Sequence, residues 1–312
     1  MRIILSFFLF SVFFGCQGQN KQVKESKVSI LILGTVQDAG SPQIACKKEC
    51  CEALFSKPNP HRKVVSLGIV DHENNKTFLL EATPDMPSQF KLLKEYANSK
   101  TETPEGIFLT HAHIGHYTGL MYLGREALGS KNVPVYVMPL METFLTNNGP
   151  WNQLLKLGNI SLQKIKHEKE VKLTENLSVI PFLVPHRDEF SETVGYKIIG
   201  PHKSALFIPD IDKWSKWSTN IIEEIKKVDY AFLDATFFDG VEINNRDISE
   251  IPHPFVVESM ELFKNLSTIE KAKIHFIHFN HTNPLLNVNS EQGKLVLSKG
   301  FNISQFGQQI GL

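Results

Sequence analysis

Three histidines, His111, His113 and His116, stand close together directly after an apolar run at residues 106–109. In an extended chain the side chains of alternate residues point the same way, so His111 and His113 can converge on one metal ion. His116 follows a turn at Gly115 and can face a second position nearby. Imidazole nitrogen is a favoured ligand of Zn²⁺ and similar borderline metals. The spacing therefore predicts a metal site, whereas a single histidine at a strand end is usually only a polar cap.

Other residues with metal-binding side chains follow apolar runs farther along the chain. His186, Asp210 and His278 each come shortly after a run that predicts a strand. Loops at strand ends on a rigid sheet commonly carry functional side chains. We expect these residues to join the first histidines at one edge of the sheet structure.

The elements that must position these residues alternate between short strands and helices. Apolar runs bounded by turn residues predict strands, and apolar residues at helical spacing predict helices. The predicted strands are 28–33, 64–70, 77–81, 106–109, 133–137, 177–183, 194–199, 205–208, 230–233 and 274–277. The predicted helices are 84–97, 120–128, 140–145, 221–227 and 256–266. This order is typical of one α/β domain, and no low-complexity linker divides residues 28–312.

The composition is that of an ordinary globular protein. The chain has 312 residues, 42% of them hydrophobic, with 33 Lys and Arg against 33 Asp and Glu. A net charge of zero argues against nucleic-acid binding, which normally requires a basic excess. We therefore expect a small molecule as the substrate, and the sequence leaves the oligomeric state open.

The N-terminus has the features of an export signal. Residues 1–15 combine Arg2 with an apolar run that is too short to cross a bilayer, which takes roughly 20 residues. Gly15 before Cys16 resembles a bacterial lipobox, in which cleavage precedes a cysteine that becomes lipidated. The polar stretch 16–27 then predicts a tether. We expect a lipid-anchored protein of the cell envelope, facing the periplasm or the surface; an uncleaved signal anchor or a secreted protein is the alternative.

The histidine segment resembles the signature His-x-His-x-Asp-His of the metallo-β-lactamase superfamily. The resemblance implies an α/β fold, the αββα sandwich of two mixed sheets packed between helices, over residues 28–312. It also implies two metal positions that share Asp210. The implied ligands are His111, His113 and His186 for the first metal and His116 and His278 for the second.

Gly115 departs from the signature, which has aspartate at this place. The second metal position thereby loses a carboxylate. Losing even an outer hydrogen-bond partner of a metal ligand costs roughly 10–100-fold in affinity. The second metal is therefore expected to bind weakly and exchange readily, and Gly115→Asp is expected to tighten it.

A narrower resemblance covers most of the chain after the tether. The segments LGTVQDAGSPQ, VPHRDEFSETVGYKI, LFIPDIDKW and HFNHTNPLL are similar to the coenzyme PQQ synthesis protein B family. That family typically lacks the two leading histidines of the signature, which are present here as His111 and His113. The resemblance implies a relative that kept or regained a hydrolase ligand set.

Three cysteines form a second group with metal-binding chemistry. Cys46, Cys50 and Cys51 lie within six residues and can hold Zn²⁺ as a closed structural site. Related cysteine-bearing phosphodiesterases of the superfamily use a histidine three residues after the last active-site histidine, which implies His281 as the fourth ligand. A disulfide with one free thiol is the alternative, because export favours oxidation. His281 could also serve the active site, with His278 behind it.

Several further polar residues could assist the site. His253 could reach the cleft as a proton donor or substrate contact, or it could cap the following helix. Asp234, at the end of a predicted strand, could orient a ligand histidine, as carboxylates around metal sites do. Asp38 and Gln37 in the early loop could do likewise.

The leading hypothesis is a metal-dependent hydrolase that holds one or two divalent ions, Zn²⁺ or else iron or manganese. A metal-bound hydroxide would attack an ester, lactone or phosphodiester, and Asp210 would hold the metals and orient the hydroxide. One alternative is an iron-dependent oxygenase of the PQQ-synthesis type on His116, Asp210 and His278, since two histidines and a carboxylate are the usual non-haem iron set. The other alternative is a metal-binding lipoprotein without catalysis.

Overall fold

Two mixed β-sheets form the centre of the molecule. The computed structural model describes residues 26–244 and 247–312, and the chain within those ranges builds two seven-stranded sheets. The predicted signal at 1–15, Cys16 and most of the tether lie outside the described residues. The first sheet contains β1 (Val28–Gly34), β2 (Ser66–Asp71), β3 (Lys76–Leu80), β4 (Gly106–Phe108), β5 (Val133–Val137), β6 (Ile160–Lys164) and β14 (Gln309–Gly311). The second contains β7 (Val171–Lys172), β8 (Ser178–Leu183), β9 (Val194–Ile199), β10 (Ser204–Ile208), β11 (Tyr230–Asp234), β12 (Ile274–Ile277) and β13 (Asn302–Ile303).

The two sheets repeat one pairing pattern. Their strand orders are β14-β1-β2-β3-β4-β5-β6 and β7-β8-β9-β10-β11-β12-β13. In each order the first three pairs are antiparallel and the last three are parallel. Parallel strands end at the same edge of a sheet, and ligands of open α/β sheets bind beyond that edge. The residues that follow β3, β4, β10, β11 and β12 are therefore the ones placed to form a site.

Helices cover the outer faces of the sheets. The α-helices are Glu49–Ser56, Met86–Ala97, Ile114–Tyr117, Pro139–Asn147, Trp151–Lys156, Ile221–Lys226, Val256–Leu262, Thr268–Lys271 and Glu291–Ser298 within the described part of the chain. Short 3₁₀ helices occur at Thr118–Leu123, Trp214–Lys216, Gly240–Ile243, Ile248–Glu250 and Pro284–Leu286. None of the helices in these ranges has the length and apolar character needed to span a bilayer.

The apolar core is layered in the same way. One buried cluster fills the space between the sheets and contains Phe108, Tyr196, Phe207 and Phe232. Two further clusters join the outer face of each sheet to its helices. Strands that are buried on both faces need apolar residues at consecutive positions, which is why β1 is buried at every residue. The arrangement confirms the predicted α/β sandwich of two mixed sheets between helices.

One predicted helix is wrong in length and type. Residues 120–128 were expected to be helical, but the chain forms a 3₁₀ helix at Thr118–Leu123. Gly124 ends this helix in extended backbone. The apolar residues counted toward the helix belong partly to the turn that follows.

Candidate metal centre

The loop after β4 gathers the histidines of the signature segment. The ring centre of His111 lies 4.4 Å from that of His113 and 4.2 Å from that of His116. The loop between β8 and β9 holds this segment in place, because the Ala112 amide donates a hydrogen bond of 2.9 Å to Ser191 Oγ. The convergence expected from the spacing is therefore present, and His116 joins it from the short helix Ile114–Tyr117.

A first group of ligand atoms comes from His111, His113, His186 and Asp210. One ligand atom from each of the four lies within 4.8 Å of all the others. His186 Nε2 is 3.3 Å from both His113 Nδ1 and Asp210 Oδ1. His111 Nε2 is 2.8 Å from His113 Nδ1 and 3.5 Å from Asp210 Oδ2. Ligand nitrogens at about 2.0–2.1 Å from a tetrahedral Zn²⁺ are roughly 3.3 Å apart, so most of these separations suit that ion.

A second group lies on the other side of Asp210. His116 Nε2 and His278 Nε2 are 3.8 and 4.0 Å from Asp210 Oδ2. Asp38, in the loop after β1, forms a compact set of ligand atoms with these two histidines. Asp210 therefore stands between the two groups and can contribute to both.

The ring nitrogens that do not face the cluster are held by protein oxygen atoms. Such contacts fix the orientation of a ligand imidazole and the position of its proton. The pairs are His111 Nδ1 with Thr110 Oγ1 at 2.9 Å, His113 Nε2 with Glu189 Oε2 at 3.0 Å, His186 Nδ1 with Asp212 Oδ1 at 3.3 Å, His116 Nδ1 with Glu81 Oε2 at 3.0 Å and His278 Nδ1 with Thr236 Oγ1 at 2.8 Å. Each histidine thus presents one nitrogen to the centre.

Glu81 is a further residue of the centre, and it is absent from the residues predicted from the sequence. It follows β3 directly, and both Glu81 and His116 are 0% exposed. Burial opposes charge on the ring, but the Glu81 carboxylate outweighs it and raises the pKa of His116 to about 9. Burial in turn raises the pKa of Glu81, against the attraction of His116. The available signal was a carboxylate at the end of an apolar run, as for Asp210, but the predicted strand 77–81 counted Glu81 as a strand residue.

Backbone strain marks two of these strand ends. Glu81 has φ of 78° and His278 has φ of 67°, although neither is glycine. Non-glycine residues in the left-handed region cost about 1–3 kcal/mol and cluster at functional sites. The surrounding structure therefore holds both side chains in directions that an ordinary strand end would not give.

Asp210 and Asp234 are two buried carboxylates of the centre. Burial alone would raise the pKa of Asp210, but His253 and His186 hold it well below its usual range. His253 Nδ1 lies 2.9 Å from Asp234 Oδ2 and 3.2 Å from Asp210 Oδ1. Burial would lower the pKa of His253, yet these two carboxylates raise it well above its ordinary value. His253 therefore lies at the centre, in contact with both carboxylates.

Several buried atoms at the centre lack a hydrogen-bond partner within the described residues. They are His116 Nε2, His278 Nε2 and Glu81 Oε1. Asp210 Oδ1 forms no hydrogen bond either, although His186 Nε2 and His253 Nδ1 lie 3.3 and 3.2 Å away. An unpartnered buried polar group is costly, so a cluster of them calls for an additional partner such as an ion. Imidazole nitrogens and carboxylate oxygens are ligands of Zn²⁺ and related divalent metals. The residues present therefore fit a divalent metal centre.

The cysteines form a separate group with His281. Cys46, Cys51 and His281 offer ligand atoms within 4.8 Å of one another, and His281 Nδ1 is buried without a partner in the described chain. Cys50 Sγ lies 3.8 and 3.9 Å from the sulfurs of Cys46 and Cys51. Sulfurs at about 2.3 Å from a tetrahedral zinc are roughly 3.8 Å apart, so the sulfur spacings suit that ion. Of the four predicted ligands, Cys50 does not belong to the compact set that Cys46 and Cys51 form with His281. All three cysteines are free thiols.

The two histidines near the end of β12 have separate places. His278 lies in the active-site cluster and His281 lies with the cysteines.

Burial and the neighbouring thiols raise the pKa of Cys50 to about 12, with burial the larger cause. Ionising Cys50 without a cation is therefore unfavourable, and a bound metal would remove that obstacle.

Comparison with known proteins places the fold in a family. A family model described as the beta-lactamase superfamily domain matches residues 76–279. The chain belongs to the beta-lactamase superfamily. The matched segment runs from β3 through the residue after His278 and so includes both histidine groups of the centre. The superfamily predicted from the histidine segment is confirmed.

The similarity of this chain to individual known proteins extends over nearly its whole length. Coenzyme PQQ synthesis protein B of Acinetobacter baumannii is 25% identical over 305 residues, which cover 91% of this chain and 99% of that protein. The Zn²⁺-bound structure of PqqB from Methylobacterium extorquens matches with a TM-score of 0.73 at 20% identity, over 91% of this chain and 100% of that chain. A diphosphatase from the PhnP family matches with a TM-score of 0.63 at 21% identity, over 91% and 96%. The superfamily member described here is thus PqqB-like, as its sequence segments indicated.

Proposed function

We propose that this chain is a metal-dependent hydrolase of small molecules that carry an ester, lactone or phosphodiester group. The observation that carries the proposal is the pair of ligand groups on either side of Asp210, in which His116 Nε2 and His278 Nε2 are buried without partners within the described residues. The similarity to a diphosphatase favours phosphoester chemistry among the candidates.

The proposed metals are Zn²⁺ ions. His111, His113, His186 and Asp210 would hold one ion, and His116, His278 and Asp210 would hold the other. A bound divalent metal lowers the pKa of water to near neutrality and polarises the bond to be broken. Nitrogen-rich sets suit zinc, and the similar PqqB structure contains Zn²⁺.

The protein's own contribution is orientation and proton transfer. Glu81, Asp212 and Thr236 keep the ligand rings in fixed positions, so little reorganisation is needed during the reaction. His253 has its Nδ1 held between two carboxylates, which favour its protonated form and suit it to act as a general acid that would donate from Nε2 to the leaving group.

The cysteine group is proposed as a structural zinc site. Cys46, Cys50, Cys51 and His281 would form a closed tetrahedral set away from the reaction. Structural zinc contributes directly to folding free energy, because the site does not exist in the unfolded chain. We also propose, from the sequence alone, that Cys16 is lipidated and anchors the protein in the cell envelope.

A substrate panel with metal analysis tests the hydrolase. Purified full-length protein is analysed for zinc, iron and manganese and is assayed with a phosphodiester, a carboxyl ester and a lactone. We expect turnover that is lost on chelation, restored by Zn²⁺ or Mn²⁺ and abolished in His113→Ala. Metal-loaded protein that turns over none of these substrates would contradict the proposal.

An oxygenase is the second candidate, and one observation favours it. His116 and His278 both lie within 4.0 Å of Asp210, and two histidines with one carboxylate are the usual set for non-haem iron. The chain also resembles PQQ synthesis protein B over 91% of its length. Oxygen consumption that depends on Fe²⁺, without hydrolysis of the panel, would favour this function over the hydrolase.

A further inference from the structure

Gly115 and Asp38 occupy one another's space. A Cβ atom built on Gly115 would lie 1.8 Å from Asp38 Cβ, 2.4 Å from Asp38 Cα and 3.2 Å from Asp38 Cγ. Non-bonded atoms cannot approach this closely, so residue 115 has to be glycine for Asp38 to be where it is. The Asp38 side chain therefore stands in the volume that a side chain at 115 would fill.

The carboxylate of Asp38 faces the second group of ligand atoms. It lies within 4.8 Å of ligand nitrogens of both His116 and His278. Those histidines are 0% exposed, and their Nε2 atoms have no partner among the described residues. An anionic oxygen beside two unpartnered imidazole nitrogens is the arrangement that a divalent cation requires.

The backbone holds Asp38 in register with His278. The Gln37 amide donates to the Phe279 carbonyl at 2.8 Å, and the Phe279 amide donates to the Thr35 carbonyl at 2.7 Å. The residue before Asp38 is thus paired with the residue after His278. The Gln37 side-chain amide also donates to the Asp38 carboxylate. The loop after β1 therefore delivers a carboxylate to a fixed position and is not a free surface loop.

We propose that Asp38 is a ligand of the second metal and takes the role left open by Gly115. The inference rests on the proposed function only in requiring that a metal binds there. It reverses the expectation of a weak second site, because the missing carboxylate is supplied from another strand end. It also reverses the expectation for Gly115→Asp, since that side chain would collide with Asp38 and displace it.

The test measures bound metal and does not depend on turnover. Full-length protein is loaded with Zn²⁺, its zinc content is determined, and the affinity of each ion is measured by chelator competition. Asp38→Asn keeps the shape and removes the charge. Gly115→Ala adds one methyl group and pushes Asp38 away. His278→Ala removes a ligand of the same ion and is the positive control.

Matched controls separate the proposal from general damage. Asp229→Asn removes an exposed carboxylate at the opposite end of β11, and Gly149→Ala adds a methyl group where no atom lies within 4 Å. We expect Asp38→Asn and Gly115→Ala each to weaken one zinc by at least about 10-fold and to leave the others unchanged. Both control variants should bind as the unaltered protein does.

The outcomes distinguish this inference from the proposed function. Asp38→Asn protein that keeps all its zinc at unaltered affinity would overturn the role of Asp38, even if the enzyme hydrolyses its substrate. Unaltered protein without a second active-site zinc would overturn it as well. Loss of one zinc in both variants, in a protein that hydrolyses nothing, would support Asp38 and contradict the hydrolase.

Discussion

The buried histidine on β12 gives a quantitative prediction for stability against pH. His275 is 6% exposed, its ring centre lies 5.3 Å from that of Phe232, and its Nδ1 has no partner in the described chain. Burial lowers the pKa of His275 from 6.5 to about 4. Between pH 6.5 and about 4, His275 is therefore protonated in the unfolded chain but stays neutral in the folded protein. Stability must fall as the pH drops from 6.5 to about 4 and change no further below that, as far as His275 is concerned.

The magnitude follows from the two pKa values. One pKa unit corresponds to about 1.4 kcal/mol. The full loss of unfolding free energy from His275 is then about 3 kcal/mol below pH 4, and about 2 kcal/mol is already lost at pH 5. His275→Leu replaces the imidazole with an apolar side chain of similar volume, so residue 275 no longer titrates. The variant should therefore lose about 2 kcal/mol less stability than the unaltered protein between pH 7.5 and pH 5.

Urea unfolding at the two pH values measures this difference. Metal release at acid pH affects both proteins alike and cancels in the comparison. His202→Leu, on the exposed loop between β9 and β10, is the control and should follow the unaltered protein. Equal losses of unfolding free energy in His275→Leu and the unaltered protein would refute the reasoning.

Four further predictions concern the metal sites and the N-terminus. Glu81→Gln should weaken the metal on His116 by roughly 10–100-fold in chelator competition, because the ring loses its charged partner; unchanged affinity would contradict this role. Cys51→Ser should lower thermal stability and bound zinc together, and retention of all zinc would argue against the structural site. His253→Gln should reduce kcat by roughly 100–10,000-fold with bound metal unchanged, whereas an unaltered kcat would exclude a proton donor. Cys16 should carry lipid in membrane-extracted protein, and an intact mass that includes Met1 would show otherwise.

Local patterns in the sequence were sufficient for ten of the fourteen strands in the described residues and for most ligand candidates; the predicted strands did not include β6, β7, β13 and β14. The run before His111, the apolar residues before Asp210 and those before His278 all form strands, and the side chains that follow meet at one edge. This succeeds because a buried strand needs consecutive apolar residues and a parallel sheet aligns its strand ends. The superfamily signature could then be interpreted residue by residue.

Contacts between segments that are distant in the chain could not be predicted from local sequence patterns. Asp38 and Gly115 are 77 positions apart in the numbering, and only the folded chain shows that their side-chain volumes coincide. Glu81 was placed inside a predicted strand, although its positive φ turns it out of the strand toward His116. The split of His278 and His281 between two sites likewise depends on where the cysteine loop packs.

Metal binding therefore depends more on where a ligand atom lies in the folded chain than on its sequence position within the superfamily signature. A metal responds to the charge and distance of a carboxylate oxygen, and several strand ends reach the same point at the edge of these sheets. A carboxylate can then move from the helix after β4 to the loop after β1, provided that the residue it replaces loses its side chain. Gly115 meets that condition because it has no side chain. The Cβ atom of any other residue at this position would lie 2.4 Å from Asp38 Cα and collide with it. The same glycine that breaks the signature is thus what allows a second carboxylate to approach His116 and His278.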